Sequence, residues 1–288
     1  MSVVAVIGLG AMGSRIAGRL LGAGHDVIVW NRTVAKADPL VEQGARRAES
    51  PADAARQAEV VLLMVSDPAA LLDVVRGDDG VAAAAGSATV VQMSTVDPKA
   101  VSELAGALPE GTPVLDAPVL GSLTEVESGT LQVFVSGPRD LADRWTPLFR
   151  TLGTPRYLGP LGAGTKAKLV ANTTLLGTLS LLGETLALAR SLGLPSDITF
   201  EVLSTTPLAA VAARRREAVL SGEYPLRFAL ELAYKDAGLV VGAAEAAGAE
   251  LRLAAAARAW LADAVEDGLG ERDYSSLAGY IADHDKTA

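Results

Sequence analysis

The chain has no cysteine, which excludes disulfides, thiol nucleophiles and thiolate metal sites. Histidine is scarce too: His25 and His284 stand alone, neither in an H-E-x-x-H arrangement nor beside carboxylates at ligand spacing, so no metal centre is expected. Positive charge is in deficit, with 25 Lys and Arg against 34 Asp and Glu and a formal net charge of −9. A nucleic-acid partner needs the opposite balance and is not expected. Any anionic ligand must therefore find its positive field locally. The longest apolar run, Leu169 to Ala189, is interrupted by Asn172, Glu184, four threonines and two glycines. It reads as a buried or interface helix rather than a membrane span. No charged, apolar and small-residue series resembling a signal peptide opens the chain, and a cytoplasmic protein is expected.

What is present is apolar bulk: 288 residues, 50% of them hydrophobic, enough for one large or two modest domains with sizeable cores. Val3 to Ile7 is a short β-branched run of the kind buried on both faces of a sheet. Gly8-Leu9-Gly10-Ala11-Met12-Gly13 follows at once, and then a helical pattern through Ile16, Leu20 and Leu21. Strand, G-x-G-x-x-G and helix in that order form the dinucleotide fingerprint in its required context. The glycines permit a tight turn and close approach of backbone to a pyrophosphate, and the helix start offers N–H groups to it.

A second strand, Val27 to Trp30, ends at Asn31-Arg32-Thr33, where an acidic residue would take the ribose 2′-hydroxyl of NADH. No acid stands there. Arg32 can pair with a 2′-phosphate, which favours NADPH; the other reading is an ordinary solvated arginine. Strands at Val60 to Val65 and Thr89 to Met93 alternate with helices at Pro68 to Arg76 and Pro98 to Leu108, predicting a doubly wound parallel sheet. Ligands bind beyond the carboxyl ends of such strands, which selects Val65-Ser66-Asp67 and Ser94-Thr95 as cofactor contacts, with Ser94 and Thr95 also facing substrate. Helix capping ahead of Pro68 and Pro98 is compatible with those roles. Val114 to Asp116 and Gly129 to Gly137 read as strands, and the loop between them carries Leu120-Gly121-Ser122 as candidate substrate contacts through backbone N–H groups. A helix at Arg139 to Thr151 and a short strand at Arg156 to Leu158 complete this half.

From Gly162 the character changes. Gly162-Ala-Gly164-Thr-Lys166-Ala-Lys168-Leu-Val-Ala-Asn172 leads from a turn into a helix reaching about Ser191, and helical segments follow at Pro195 to Ser204, Leu208 to Leu220, Leu230 to Ala247 and Leu251 to Asp267. Lys168 and Asn172, four apart, share one helix face while Lys166 faces elsewhere. A cation that can donate a proton, beside an amide that can fix its position, is the catalytic candidate. The expected fold class is α/β, with a Rossmann domain over 1–161, a long interdomain helix and an all-α domain over 162–288. So apolar a first helix needs cover from its own bundle or from a second subunit, and a homodimer or higher homo-oligomer is expected.

Taken together, the fingerprint, Asn31-Arg32-Thr33, Ser94-Thr95, Asp116-Ala-Pro-Val-x-Gly121, Gly129-Thr130, Gly162-x-Gly164-x-x-x-Lys168-x-x-x-Asn172 and Lys235-Asp236 resemble the β-hydroxyacid dehydrogenase family over nearly the whole chain. That family includes 3-hydroxyisobutyrate dehydrogenases, tartronate semialdehyde reductases and glyoxylate/succinic semialdehyde reductases. The resemblance implies NADP-dependent oxidoreductase chemistry on a small β-hydroxyacid or carbonyl substrate. It makes Lys168 the acid/base with Asn172 as its partner, and places Phe228 and Lys235 near nicotinamide and substrate, with Asp236 beside them. Another reading leaves Lys235 and Asp236 on a solvated helix face. One departure stands out: where the family commonly reads D-A-P-V-S-G-G and uses that serine for a substrate carboxylate, this chain has Leu120, with Gly121 and Ser122 after it. A more apolar or uncharged carbonyl substrate becomes plausible. Imine reductases share the architecture but usually replace the lysine, so Lys168 favours carbonyl chemistry. The rival outside enzymology is a non-catalytic NADP-binding sensor, which needs no proton donor.

Overall fold

A computed structural model describes residues 1–284, which divide into two compact units, Met1–Leu169 and the chain from Val170 onward. The first unit is built on a six-stranded parallel sheet of β1 (Val3–Ile7), β2 (Asp26–Trp30), β3 (Arg46–Arg47), β4 (Val60–Leu63), β5 (Thr89–Gln92) and β6 (Val114–Asp116). The spatial order β3-β2-β1-β4-β5-β6 reverses direction at β1, whose Val4 pairs with Val27 on one side and Val60 on the other. This is the doubly wound sheet that the alternating pattern predicts, and it places a ligand crevice at the carboxyl ends of β1 and β4.

Helices α1 (Ala11–Gly22), α2 (Asp38–Glu42), α3 (Pro51–Gln57), α4 (Pro68–Val75) and α5 (Pro98–Ala107) connect these strands. Every residue of Val4–Ile7 is fully buried because the strand is covered on both faces. Val4 and Val6 pack with Ile16 and Leu20 of α1, whereas Ala5 and Ile7 join Leu71 of α4 and Leu104 of α5. At about 25 cal/mol per Å² of apolar surface, such side chains each stabilise the fold by roughly 1.5–3 kcal/mol.

Two expected strands enter a different sheet. β7 (Val119–Leu120), β8 (Leu131–Val135) and β9 (Gly153–Tyr157) form a separate three-stranded sheet in which β7 runs antiparallel and β9 parallel to β8. Between β7 and β8 the chain folds into the short helix α6 (Leu123–Ser128), where the sequence reading has only a loop. Six residues are too few for a helical period to show, and the cap geometry described below is what fixes them. α7 (Arg139–Leu152) follows β8 and packs Trp145 and Phe149 into the core that Val4 and Val6 share.

α8 (Ala163–Ser191) runs out of this unit, and the division at Leu169 falls inside it. The second unit is all helical: the rest of α8, then α9 (Ser196–Leu203), α10 (Ala209–Ser221), α11 (Leu230–Ala246), α12 (Arg252–Ala264) and α13 (Ser276–Asp283), the last not expected from sequence. Leu176, Leu179, Leu182 and Leu186 of α8 pack with Leu230 of α11, Leu261 of α12 and Leu277 of α13. Another stripe of α8 stays exposed, with Val170 at 68%, Leu181 at 41% and Leu188 at 59%. Among the described residues, no helix is long and apolar enough to cross a membrane.

Candidate active site

The fingerprint joins β1 to α1, and the fold itself requires two of its three glycines, for different reasons. Gly8 has φ +96°, and a Cβ on it would come within 2.2 Å of the Met64 carbonyl oxygen. A Cβ on Gly13 would sit 1.9 Å from the Gly8 oxygen, so α1 can approach the strand only with glycine there. Gly10 has no protein atom within 4 Å of a would-be Cβ. Its bareness has no internal packing reason and suits a ligand backbone approaching the α1 N-terminus, where unpaired N–H groups favour phosphate. Leu9 lies in the loop, and Ala11 and Met12 open the first turn of α1. Leu9 donates its N–H to Asn31 Oδ1 at 2.9 Å, and Asn31 Nδ2 donates to the Thr33 carbonyl at 3.0 Å. Asn31 thus ties the glycine loop to the end of β2, while Arg32 and Thr33 are exposed beside it. The residues present fit a nicotinamide dinucleotide: a glycine cradle and a helix N-terminus, with Arg32 rather than an acid after β2.

At the ends of β4 and β5 the predicted contacts divide. Asp67 Oδ1 accepts the Ala70 N–H at 2.8 Å and so caps α4, while its Oδ2 accepts the Ser66 hydroxyl at 2.5 Å. Ser94 is buried at 1% exposure; its hydroxyl accepts from the Val65 N–H at 2.9 Å and donates to the Leu63 carbonyl at 3.2 Å. That makes it a tie between the two loops, with its hydroxyl already committed. Thr95, half-buried, follows at the loop surface.

In the segment after β6, Leu120 is half-buried and Gly121 takes φ +142°. Ser122 opens α6 as a capping box: its N–H meets Glu125 Oε2 at 2.8 Å and its hydroxyl the same oxygen at 2.5 Å. Both Ser122 donors expected to meet substrate are therefore engaged, and a carboxylate stands among them.

Residues that the sequence reading gave no role anchor the start of α8. Asp116 is fully buried, and its Oδ2 accepts the Thr165 N–H at 2.7 Å while Oδ1 accepts the Thr165 hydroxyl at 2.8 Å. Ser136 Oγ accepts the Gly164 N–H at 2.9 Å and itself donates to the Asp116 carbonyl at 3.1 Å. Gly164 is forced, since a Cβ there would lie 2.2 Å from the Phe134 oxygen. Burial pushes the Asp116 carboxyl above the usual carboxylate range, opposed by the hydrogen bonds from Thr165, Ser136 and Gln92. Two signals marked Asp116 in the sequence, an acid at the end of a buried apolar strand and the opening of the Asp116-Ala-Pro-Val-x-Gly121 segment, but neither gave its partner. Lys168, three residues past Thr165, is buried at 8% exposure, whereas Lys166 is exposed.

In the second unit, Asn172 is buried and donates from Nδ2 to Asp236 Oδ2 at 2.9 Å, leaving its own Oδ1 without a hydrogen-bond partner among the described residues. The Lys235 ammonium lies 2.8 Å from Asp236 Oδ1, an ion pair whose alignment falls short of a hydrogen bond. Asp236 is thus buried rather than on a solvated face. Phe228 meets Tyr274 edge-on at 5.4 Å, and its N–H and that of Arg227 both reach Asp273 Oδ2, a second buried carboxylate without a sequence-based role. No group of three or more His, Asp or Glu among the described residues could hold a metal ion.

Residues 3–165 match the NAD-binding domain of 6-phosphogluconate dehydrogenase, and residues 162–281 the NAD-binding domain of NADP-dependent 3-hydroxyisobutyrate dehydrogenase. The chain is 32% identical over 278 residues to glyoxylate/succinic semialdehyde reductase 2, chloroplastic, of Arabidopsis thaliana, covering 95% of this chain and 78% of that protein. It is 31% identical over 282 residues to 3-sulfolactaldehyde reductase of Escherichia coli, covering 96% and 95% of the two. Among solved structures, 3-hydroxyisobutyrate dehydrogenase of Mycobacterium tuberculosis with L-serine superposes with a TM-score of 0.87 at 27% identity, over 96% of this chain and 98% of that one.

Proposed function

The chain belongs to the NAD(P)-dependent β-hydroxyacid dehydrogenase family, and on that premise we propose that it is an NADPH-dependent reductase of a small carbonyl compound of the glyoxylate, semialdehyde or 3-hydroxyisobutyrate type, with Lys168 as its acid/base. The observation that carries this reading is Lys168 itself, buried, on a helix whose first turn is clamped to the end of β6. A nicotinamide bound at the fingerprint would supply the hydride. The Lys168 ammonium would stabilise the negative charge that grows on the substrate oxygen and pass it a proton, then take one back in the oxidative direction. Asn172 follows one helical turn later, its amide oriented by Asp236. Arg32 would pair with the 2′-phosphate as a bidentate cation.

The exposed stripe of α8 supports a homo-oligomer that covers it. The test is NADPH oxidation followed with a panel of small aldehydes, keto acids and cyclic imines. Turnover of glyoxylate or a semialdehyde is expected. Turnover of imines alone would move the assignment to imine reduction, and tight NADPH binding with no turnover at all would favour a sensor.

A further inference from the structure

Asp116 and Thr165 are joined by two hydrogen bonds that use both oxygens of one carboxylate and both donors of one residue. A single bond would fix the height of the helix start. Two bonds to one residue, with Gly164 N–H held separately by Ser136, also fix the rotation of that turn about its own axis. Lys168 sits on the next turn of the same helix, so its side-chain direction follows that rotation. With side chains reaching about 5–6 Å from a helix axis, a rotation of about 20° carries a side chain by roughly 2 Å. Misplacement of about 1 Å is enough to lower a reaction rate about 100-fold.

The same carboxylate is also linked, through Gln92, to the loop after β5. Gln92 Nε2 approaches Asp116 Oδ1 at 3.4 Å and donates to the Ser94 carbonyl at 2.8 Å, Gln92 Oε1 accepts the Ser94 N–H, and Ser94 Oγ holds the Val65 N–H. One buried network therefore links the loops after β4 and β5 to the first turn of α8. A carboxylate this deeply buried is destabilising unless its bonds compensate, and hydrophobic residues would fill the site at lower cost. The geometry calls for a reason to keep it.

We propose that Asp116 is the positioning residue for Lys168: through Thr165 it sets the rotation of the first turn of α8, and through Gln92 and Ser94 it keeps that turn in register with the loops at the carboxyl edge of the sheet. The proposal rests on the reading of Lys168 as acid/base.

The test compares Asp116→Ala, Thr165→Val, Lys168→Ala and the Asp116→Ala/Lys168→Ala double variant, assayed with the best substrate from the carbonyl panel, with NADPH affinity measured separately by fluorescence titration. Asp116→Ala is expected to lower kcat by about tenfold or more, and Thr165→Val several-fold, with the NADPH Kd within about threefold of wild type. In the Lys168→Ala background the Asp116 substitution should add no further loss, because the residue acts only through the lysine. A full and additive loss in that background overturns the proposal while leaving Lys168 intact as the acid/base. Near-normal turnover of Lys168→Ala alone instead removes the reading of Lys168, and this proposal with it. Should Asp116→Ala fold poorly, Asp116→Asn keeps an oxygen acceptor for the Thr165 amide and should recover most of the kcat. A crystal structure of either Asp116 variant with low kcat in which the Thr165–Lys168 turn is unmoved would overturn the proposal independently of the kinetics.

Discussion

Asn172 and Asp236 form a buried amide–carboxylate pair, Nδ2 to Oδ2 at 2.9 Å, that decides which end of the amide is offered elsewhere. The carboxylate accepts from the NH₂ group, so the remaining oxygen, Oδ1, is an acceptor in waiting. Removing the acceptor with Asp236→Leu should lower kcat/KM by roughly 10- to 100-fold, the size of effect expected when a buried donor loses its partner. Asp236→Asn keeps an oxygen in place and should retain most of the activity. Equal losses in the two variants would mean that the negative charge beside Lys235, not the orientation of the amide, is what matters.

Lys168→Ala should reduce turnover by roughly 10²-fold or more with NADPH affinity retained. Stopped-flow measurement of the hydride step, with the NADPH Kd measured alongside, separates the two. Turnover close to wild type would reject the lysine as proton donor.

Cofactor choice is expected to reside in Arg32. Arg32→Ala should raise the KM for NADPH about 10- to 100-fold, as for loss of a charge-assisted bidentate contact, and leave the KM for NADH nearly unchanged. A wild-type preference for NADH that ignores the substitution would sink the assignment.

Ser122 is expected to act in the capping box rather than on substrate, because its N–H and hydroxyl both meet Glu125. Ser122→Ala should destabilise the protein by about 1 kcal/mol, a Tm decrease of about 2–4 °C, with substrate KM unchanged. A KM raised tenfold or more without a change in Tm would return Ser122 to the substrate.

The buried Asp116 makes a pH prediction whose sign is fixed by its raised pKa. The folded chain holds this proton to higher pH than the unfolded chain does. Asp116 therefore contributes most favourably below its unfolded value of 3.8, and this contribution falls as pH rises from there through the folded pKa. The stability of Asp116→Asn relative to wild type should accordingly increase across that window, and urea unfolding of both proteins from about pH 4 upward measures the difference. A difference that declines with rising pH would show that the hydrogen bonds from Thr165 outweigh burial.

The sequence by itself determined the parts whose physics is local. Val3 to Ile7 could only be a strand covered on both sides, Gly8 and Gly13 could only be a tight turn against a helix, and the spacing of Lys168 and Asn172 put them on one face of α8. Proline and its capping acid made the start of α4 and of α5 legible in the same way. Tertiary structure decided what depends on groups far apart in the chain. Asp116 meets Thr165 across 49 residues, and Asn172 meets Asp236 across 64; no periodicity or propensity encodes such pairings, because they arise only when separately folded elements stop at the same place. It also decided the fate of short segments: six residues of α6 carry too little pattern to show as a helix, and β8 and β9 leave the parallel sheet because of the partner they find. The lysine could be read from its neighbours in sequence, whereas the carboxylate that holds its helix could be read only from the fold.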